Sequence, residues 1–151
     1  MEIENERKFI LSKRPDMDYL NFRVYQGYLH ISENEEIRIR KSEKIPVEYV
    51  ITQKIGGISQ IRQETEFSIP EEIFNILWES CCIKRMVKHR YLYGNYVSID
   101  IFDNGLILAE KEYHEGDDIS NIPDIIQPLI IKEVTTDPNY YSQNLAQSKR
   151  I

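Results

Sequence analysis

Cysteine is nearly absent from this 151-residue sequence: Cys81 and Cys82 are the only two, and they are adjacent. Neither a disulfide framework nor a thiolate metal centre follows from such a pair, which reads as buried free thiols. Histidine is as scarce. His30, His89 and His114 show no HxH or HxxxH spacing, which argues against an imidazole zinc site. No apolar run approaches the ~20 residues of a membrane span, and the charged N-terminus lacks the apolar core of a signal peptide. A soluble, cytoplasmic protein is therefore expected. There is no internal repeat and no Gly/Ser/Pro-rich linker, so residues 1–151 read as one domain. Basic residues are in deficit, 19 Lys and Arg against 25 Asp and Glu, for a net charge of −6. That balance argues against nucleic acid and anionic membranes as partners. It leaves room for an anionic small molecule, because a local cluster outweighs the global sum within a Debye length of roughly 8–10 Å. A homodimer is left open.

The first stretch that is informative for what it contains is Glu-Ile-Glu-Asn-Glu-Arg-Lys at residues 2–8. On a β-strand, Glu4, Glu6 and Lys8 would share one face. The same i, i+2 pairing of charges recurs in Arg38/Arg40, Glu64/Glu66 with Arg62 in phase, Lys88/Arg90 and Glu110/Glu112, and more weakly in Glu133/Thr135. Residues of the opposite phase are often apolar: Ile37, Ile39, Phe67, Tyr91, Ile99, Ile101 and Val134. It is the apolar phase that needs covering. A closed antiparallel barrel lined by the charged phase, with its apolar outer face under helices, satisfies both.

Other elements fall into place around these pairs. A short helix is expected from about Pro15 to Asn21, a short strand at Tyr28 to Ser32, and a strand at Val47 to Lys54 that adds Lys54 to the charged lining. Ser68-Ile69-Pro70-Glu71-Glu72 opens the best helix, with Ile73, Phe74, Ile76, Leu77 and Trp78 as its apolar stripe. Lys84–Tyr93, Tyr96–Phe102 and Leu106–His114 read as a meander joined at Gly94-Asn95 and Asp103-Asn104-Gly105, and its middle strand adds Asp100. A short helix around Pro123 to Gln127, a strand at about Ile130 to Thr135 and a terminal segment from Pro138 to Ser148 follow.

Solvated strand faces laced by weak ion pairs of about 0.2–1 kcal/mol each would explain any one strand. They do not explain the sorting by sign. Arg38/Arg40 and Lys88/Arg90 are pure cation pairs, while Glu4/Glu6 and Glu110/Glu112 are pure acid pairs. Like charges this close repel, and withdrawing them from water costs several kcal/mol per ion unless a ligand of opposite sign compensates. Clustered acids suggest divalent cations and clustered Arg/Lys suggest phosphates. A metal-chelated polyphosphate asks for both.

With these residues in order, the sequence resembles the CYTH superfamily, the triphosphate tunnel metalloenzymes. The resemblance rests on Glu4-x-Glu6-x-Lys8, Gly27-Tyr28-Leu29, Arg38-Ile-Arg40, Thr52-Gln-Lys54, Arg62-x-Glu64-x-Glu66, Lys88-x-Arg90-Tyr91, Asp100-x-Phe102, Ala109-Glu110-x-Glu112 and Glu133-Val-Thr135. It implies a mainly β, α+β fold: a closed eight-stranded antiparallel barrel with a charged interior and helices outside. It also implies that Lys8, Arg38, Arg40, Lys54, Arg62, Lys88 and Arg90 bind phosphoryl oxygens. Glu4, Glu6, Asp100, Glu110 and Glu112 would hold Mg²⁺ or Mn²⁺, two ions in all, with Glu64 and Glu66 as further ligands or as partners of the arginines. Lys8 would lie beside the scissile phosphate, and Lys8, Arg40 and Glu6 form the catalytic set. The terminal Tyr140-Tyr141-Ser142 departs from the family's Tyr-x-Asn.

The activity implied is metal-dependent hydrolysis of a triphosphate, first of all inorganic tripolyphosphate. A class IV-type adenylyl cyclase and a thiamine triphosphatase are the enzymatic alternatives. A polyphosphate- or nucleotide-binding module is the non-enzymatic one.

Overall fold

The computed structural model describes residues 2–16, 20–56 and 61–148, and their side chains except at 2–4, 61 and 148. The fold is mainly β. Strands β1 (Glu2–Leu11), β2 (Asn21–Ile31), β3 (Glu35–Ser42), β4 (Glu48–Ile55) and β5 (Ile61–Ser68) precede helix α1 (Glu71–Ser80). Then come β6 (Lys84–Leu92), β7 (Val97–Phe102), β8 (Ile107–Tyr113), β9 (Ile130–Glu133), the one-turn helix α2 (Ser142–Leu145) and β10 (Gln147–Ser148).

All ladders are antiparallel, in the order β10-β6-β2-β3-β4-β5-β1-β8-β7, with β9 added on β1. A further ladder, Lys88↔Phe102 through Leu92↔Ser98, joins β6 to β7. Each strand from β1 to β8 therefore has a hydrogen-bonded neighbour on both sides. Such pairing leaves few unsatisfied strand edges and gives each of these strands two faces.

Alternation along the strands then decides which side chains go where. On β1, β7 and β8 the phase carrying Phe9, Leu11, Val97, Ile99 and Ala109 is buried against Ile126, with Ile122, Ile125, Leu129 and Ile130 packed alongside. On β2, β3 and β4 the corresponding phase, with Tyr25, Leu29, Ile39 and Ile51, is covered by Phe74, Leu77 and Trp78 of α1 and by Cys82. The apolar side of the sheet thus faces outward and is covered by α1 and by the segment from 122 to 130. Helix α1 starts after Pro70, which needs no N–H there, and carries Glu71 and Glu72 in its first turn, where acids favour the helix dipole. Only part of its expected stripe is used: Ile73 and Ile76 stay exposed.

Three other expectations change. The strand expected at Tyr28–Ser32 is the C-terminal part of the 11-residue β2. Its buried phase, Phe22, Val24, Gln26 and Tyr28, bears no charge, so the charged-pair pattern overlooks it. The strand expected to reach Thr135 stops at Glu133 and lies outside the eight-strand set, paired only with β1. Glu133 there meets Arg7, which occupies the phase of β1 opposite to Glu6 and Lys8, through two hydrogen bonds. It is not part of the charged lining. The helix expected near Pro123 is a turn leading to a 3-10 turn at Gln127–Leu129, and Pro138–Tyr140 forms another. Residues 12–16 are not helical, and the rest of the helix expected after Pro15 falls largely on residues 17–19, outside the described residues.

Close packing of β2 under α1 depends on Gly27. A Cβ at this position would run into Cys82 Sγ and approach two Trp78 ring atoms at 3.2 and 3.3 Å. Overpacking of this kind costs about 1–3 kcal/mol. Gly27→Ala is expected to lower stability by that amount in denaturant unfolding, and Cys82→Ala in the same chain to restore part of it. A Gly27→Ala chain as stable as the parent would show that this packing yields freely.

Candidate active site

Opposite the apolar face, the strands enclose a cavity of about 760 Å³. All seven cations expected from the sequence line it: Lys8, Arg38, Arg40, Lys54, Arg62, Lys88 and Arg90. So do Glu6, Glu64, Glu66, Glu110 and Glu112. The side chain of Glu4 is outside the described residues. Asp100 alone among the described candidates does not line the cavity. It is buried, with its two oxygens taken by Arg90 at 2.8 and 2.9 Å and by Lys88 at 2.8 Å. A carboxylate so engaged is a charge partner that holds two cations in place.

Strand order sorts the lining by sign. The neighbouring strands β8, β1 and β5 contribute Glu110 and Glu112, Glu6, and Glu64 and Glu66, and Glu6 and Glu112 are direct cross-strand partners. Around the other side, β6, β3 and β4 contribute Lys88 and Arg90, Arg38 and Arg40, and Lys54. One wall of the cavity is acidic and the facing wall basic.

The minority charges are Lys8 and Arg62 on the acidic wall and Glu36 on the basic one. Lys8 Nζ, on the acidic wall, lies 3.5 Å from Glu110 Oε1 and donates to the carbonyl of Tyr140 at 3.0 Å. Glu36, on the basic wall, lies 3.4 Å from Arg38. Where the walls meet, Lys54 lies 3.7 Å from Glu64, and Arg40 lies 3.5 Å from Glu66, which also accepts a 2.8 Å bond from Thr52.

Crowding of like charges shows in the titration. Burial, Arg90 and Arg38 bring the Arg40 guanidinium down to about 10 against the pull of Glu66 and Glu48. Its buried Nε has no hydrogen-bond partner. Burial lowers Lys88 to about 8, with Asp100 opposing and Arg90 adding to the shift. Across the cavity, Glu110 is held at about 2 despite its burial, mainly by Lys8, with Lys88 and Arg90 adding to the effect. Asp100 is kept far below the ordinary carboxylate range, despite burial, by Arg90 and Lys88.

Lining residues that the charge pattern did not identify include Gln26, Glu36 and Gln143. Glu36 shares the alternation of Arg38 and Arg40, so extending that run by one step identifies it. Gln26 is neutral, and Gln143 comes from a segment without periodicity, so neither carries such a signal. Thr135 lines the cavity although its neighbour Glu133 does not. Among the described residues, no three His, Cys, Asp or Glu side chains converge closely enough to enclose a metal ion. The donor chemistry nevertheless suits a hard cation. Mg²⁺ is commonly held by one or two carboxylates together with substrate phosphates and water, without a full protein cage.

These shifts fix how stability depends on pH. Lys88 titrates near 8 in the folded chain against an ordinary 10.5, so between these values the unfolded chain binds more protons. Stability must rise with pH where that holds. The metal-free chain is expected to gain melting temperature from pH 8 to 10, and Lys88→Met to flatten the gain. On the acid side, the stability contributed by Asp100 and Glu110 is present above their unfolded range and is lost as pH falls toward 2. A melting temperature that declines from pH 8 to 10 would contradict the assignment of Lys88.

No protein-family model matches the chain. It is 33% identical over 154 residues to an inorganic triphosphatase of Nitrosomonas europaea, covering 96% of this chain and 97% of that one. It is 29% identical over 153 residues to an inorganic triphosphatase of Acetivibrio thermocellus, covering 96% of this chain and 94% of the relative. The fold matches the crystal structure of the inorganic triphosphatase NE1496 with a TM-score of 0.65 at 30% identity, over 100% of this chain and 99% of that one. With this identity along nearly the whole of both chains, and the ordered charged pairs gathered in one cavity, the chain belongs to the family of the inorganic triphosphatases, of CYTH type.

Proposed function

We propose that the chain hydrolyses a triphosphate, inorganic tripolyphosphate first of all, inside a closed tunnel formed by β1 to β8. The observation that carries this reading is the division of one cavity into facing acidic and basic walls. A polyphosphate supplies many negative oxygens to the basic wall and, when chelated, positive charge to the acidic one.

Phosphoryl transfer passes through a loose transition state, so the protein's task is positioning and charge neutralisation. Arg38, Arg40, Lys88 and Arg90 would hold the phosphoryl oxygens, with Lys54 and Arg62 extending the row. Arg90 is fixed by its two-pronged bond to Asp100, which preorganises it at no cost during the reaction. Lys8 lines the cavity from the acidic wall, its ammonium group held by Glu110 and the Tyr140 carbonyl. It would stabilise charge at the scissile bridge. A divalent cation, Mg²⁺ or Mn²⁺, would be held by Glu6, Glu110 and Glu112, with Glu64 and Glu66 nearby, and would neutralise phosphate charge and lower the pKa of a bound water. Glu6 and Glu112 face each other across the β1–β8 ladder, a spacing suited to sharing one ion between them.

The reading is tested by phosphate release with Mg²⁺ or Mn²⁺ from tripolyphosphate, pyrophosphate, ATP and thiamine triphosphate, with cyclic AMP measured in parallel. Tripolyphosphate is expected to be turned over fastest, and chelator to abolish turnover. Glu6→Gln and Arg40→Ala are each expected to lower turnover by about 10²–10³-fold, the usual effect of removing one charge-stabilising group. Binding of tripolyphosphate that survives chelator, without turnover of any compound, would point to a binding module.

A further inference from the structure

The two ends of the cavity differ. The turn joining β6 to β7 lies at one end, where Gly94, Asn95 and Tyr96 line the rim and Tyr96 is exposed. The C-terminal segment lies at the other, since Gln147 and Ser148 pair with Arg85 and Lys84 at the start of β6. At that end the inner face turns apolar: Tyr28 and Met86 are buried against Ala146, with Ile31, Phe102 and Leu145 packed around them. Among the described residues, the chain's own tail packs across it.

Above this cluster stands Gln143. It is 3% exposed and lines the main cavity, yet its Oε1 has no hydrogen-bond partner. Its backbone is fixed, because Lys84 Nζ donates to the Gln143 carbonyl at 2.9 Å and Lys8 Nζ to that of Tyr140 at 3.0 Å. Glu36, Lys54 and Arg62 border the same position. Beyond them lies a pocket of about 10 Å³, room for no more than a single water.

A buried carboxamide with an unmet hydrogen-bonding atom is a liability unless a ligand meets it. A terminal phosphoryl group does so in either orientation of the amide, as P–O⁻ accepting from Nε2–H or as P–OH donating to Oε1. We infer that Gln143 is a chain-end stop, contacting the innermost phosphoryl group so that the tunnel reads its substrate from a free terminal phosphate. The inference rests on the triphosphatase reading above and adds its specificity. Substrates must carry one unsubstituted terminal phosphoryl group, and any substituent on the other end sits at the rim by Tyr96. A triphosphate esterified at both ends has nothing to place against Gln143, and its inner ester group meets the tail at Leu145 and Ala146.

The test uses the full chain and three probes: tripolyphosphate, its monomethyl ester and its P1,P3-dimethyl ester. Each ester is titrated as an inhibitor of tripolyphosphate hydrolysis, and all three are measured by calorimetry. Each methyl group removes one ionisable oxygen, so loss of charge alone gives two similar steps. The stop predicts unequal ones, about tenfold or less for the first methyl and about a hundredfold or more for the second, as expected where a polar site is left unpaired. Gln143→Ala and the volume-conserving Gln143→Met are each expected to raise the KM for tripolyphosphate about tenfold and to shrink the second step. Two equal steps, or both variants binding tripolyphosphate as the parent does, would overturn the inference. A parent chain that neither binds nor hydrolyses tripolyphosphate overturns the triphosphatase reading as well. Hydrolysis together with strong inhibition by the dimethyl ester overturns the chain-end reading alone.

Discussion

Like charges held out of water, close to one another, are the constraint from which this structure is built. Burial, with repulsion from Arg90 and Arg38, lowers the affinity of Arg40 for its proton, and burial with a neighbouring arginine does the same to Lys88. A fold that tolerates this must supply compensation elsewhere. Asp100 is the most heavily used compensation, engaging Lys88 and Arg90 from beneath the lining. Glu36 beside Arg38 and Glu66 beside Arg40 supply more. What they leave uncompensated is available to a polyanion.

Holding these charges inside sends the opposite, mostly apolar phase of the charged strands outward, where it must be covered. Helix α1 covers β2, β3 and β4, and the segment from 122 to 130 covers β1, β7 and β8. The two clusters account for most of the buried apolar residues, so stability resides in the outer layer while the inner one is left to chemistry. The contact of Gly27 with Trp78 and Cys82 belongs to that outer layer. Lys8 belongs to the inner one, and its bond to the Tyr140 carbonyl ties β1 to the C-terminal segment.

Alternation of period two made most of the inner layer legible. Glu6, Lys8, Arg38, Arg40, Lys54, Arg62, Glu64, Glu66, Lys88, Arg90, Glu110 and Glu112 were readable as one face because a strand sends every second side chain the same way. Alternation of charge gives no signal where the inner phase of a strand is uncharged, as with Gln26 on β2, and misleads where charge faces outward, as with Glu133 against Arg7. Asp100 has the phase of a lining residue, but its burial beneath Lys88 and Arg90 depends on a neighbouring strand. The C-terminal segment has neither period, and Gln143 acquires its position from the tertiary pairing of β10 with β6.

The sequence by itself determined which residues share a strand face, because backbone alternation is a local property of the extended chain. It also determined that those faces are sorted by sign, and through the order of the motifs it pointed to the family. Only the tertiary structure decided which strands stand side by side. That brought Glu6 opposite Glu112, set the basic strands against the acidic ones, turned Asp100 from a lining group into a hidden partner, and laid the tail across one end of the cavity. These are long-range pairings, and no local pattern encodes which distant strand will supply the complementary edge.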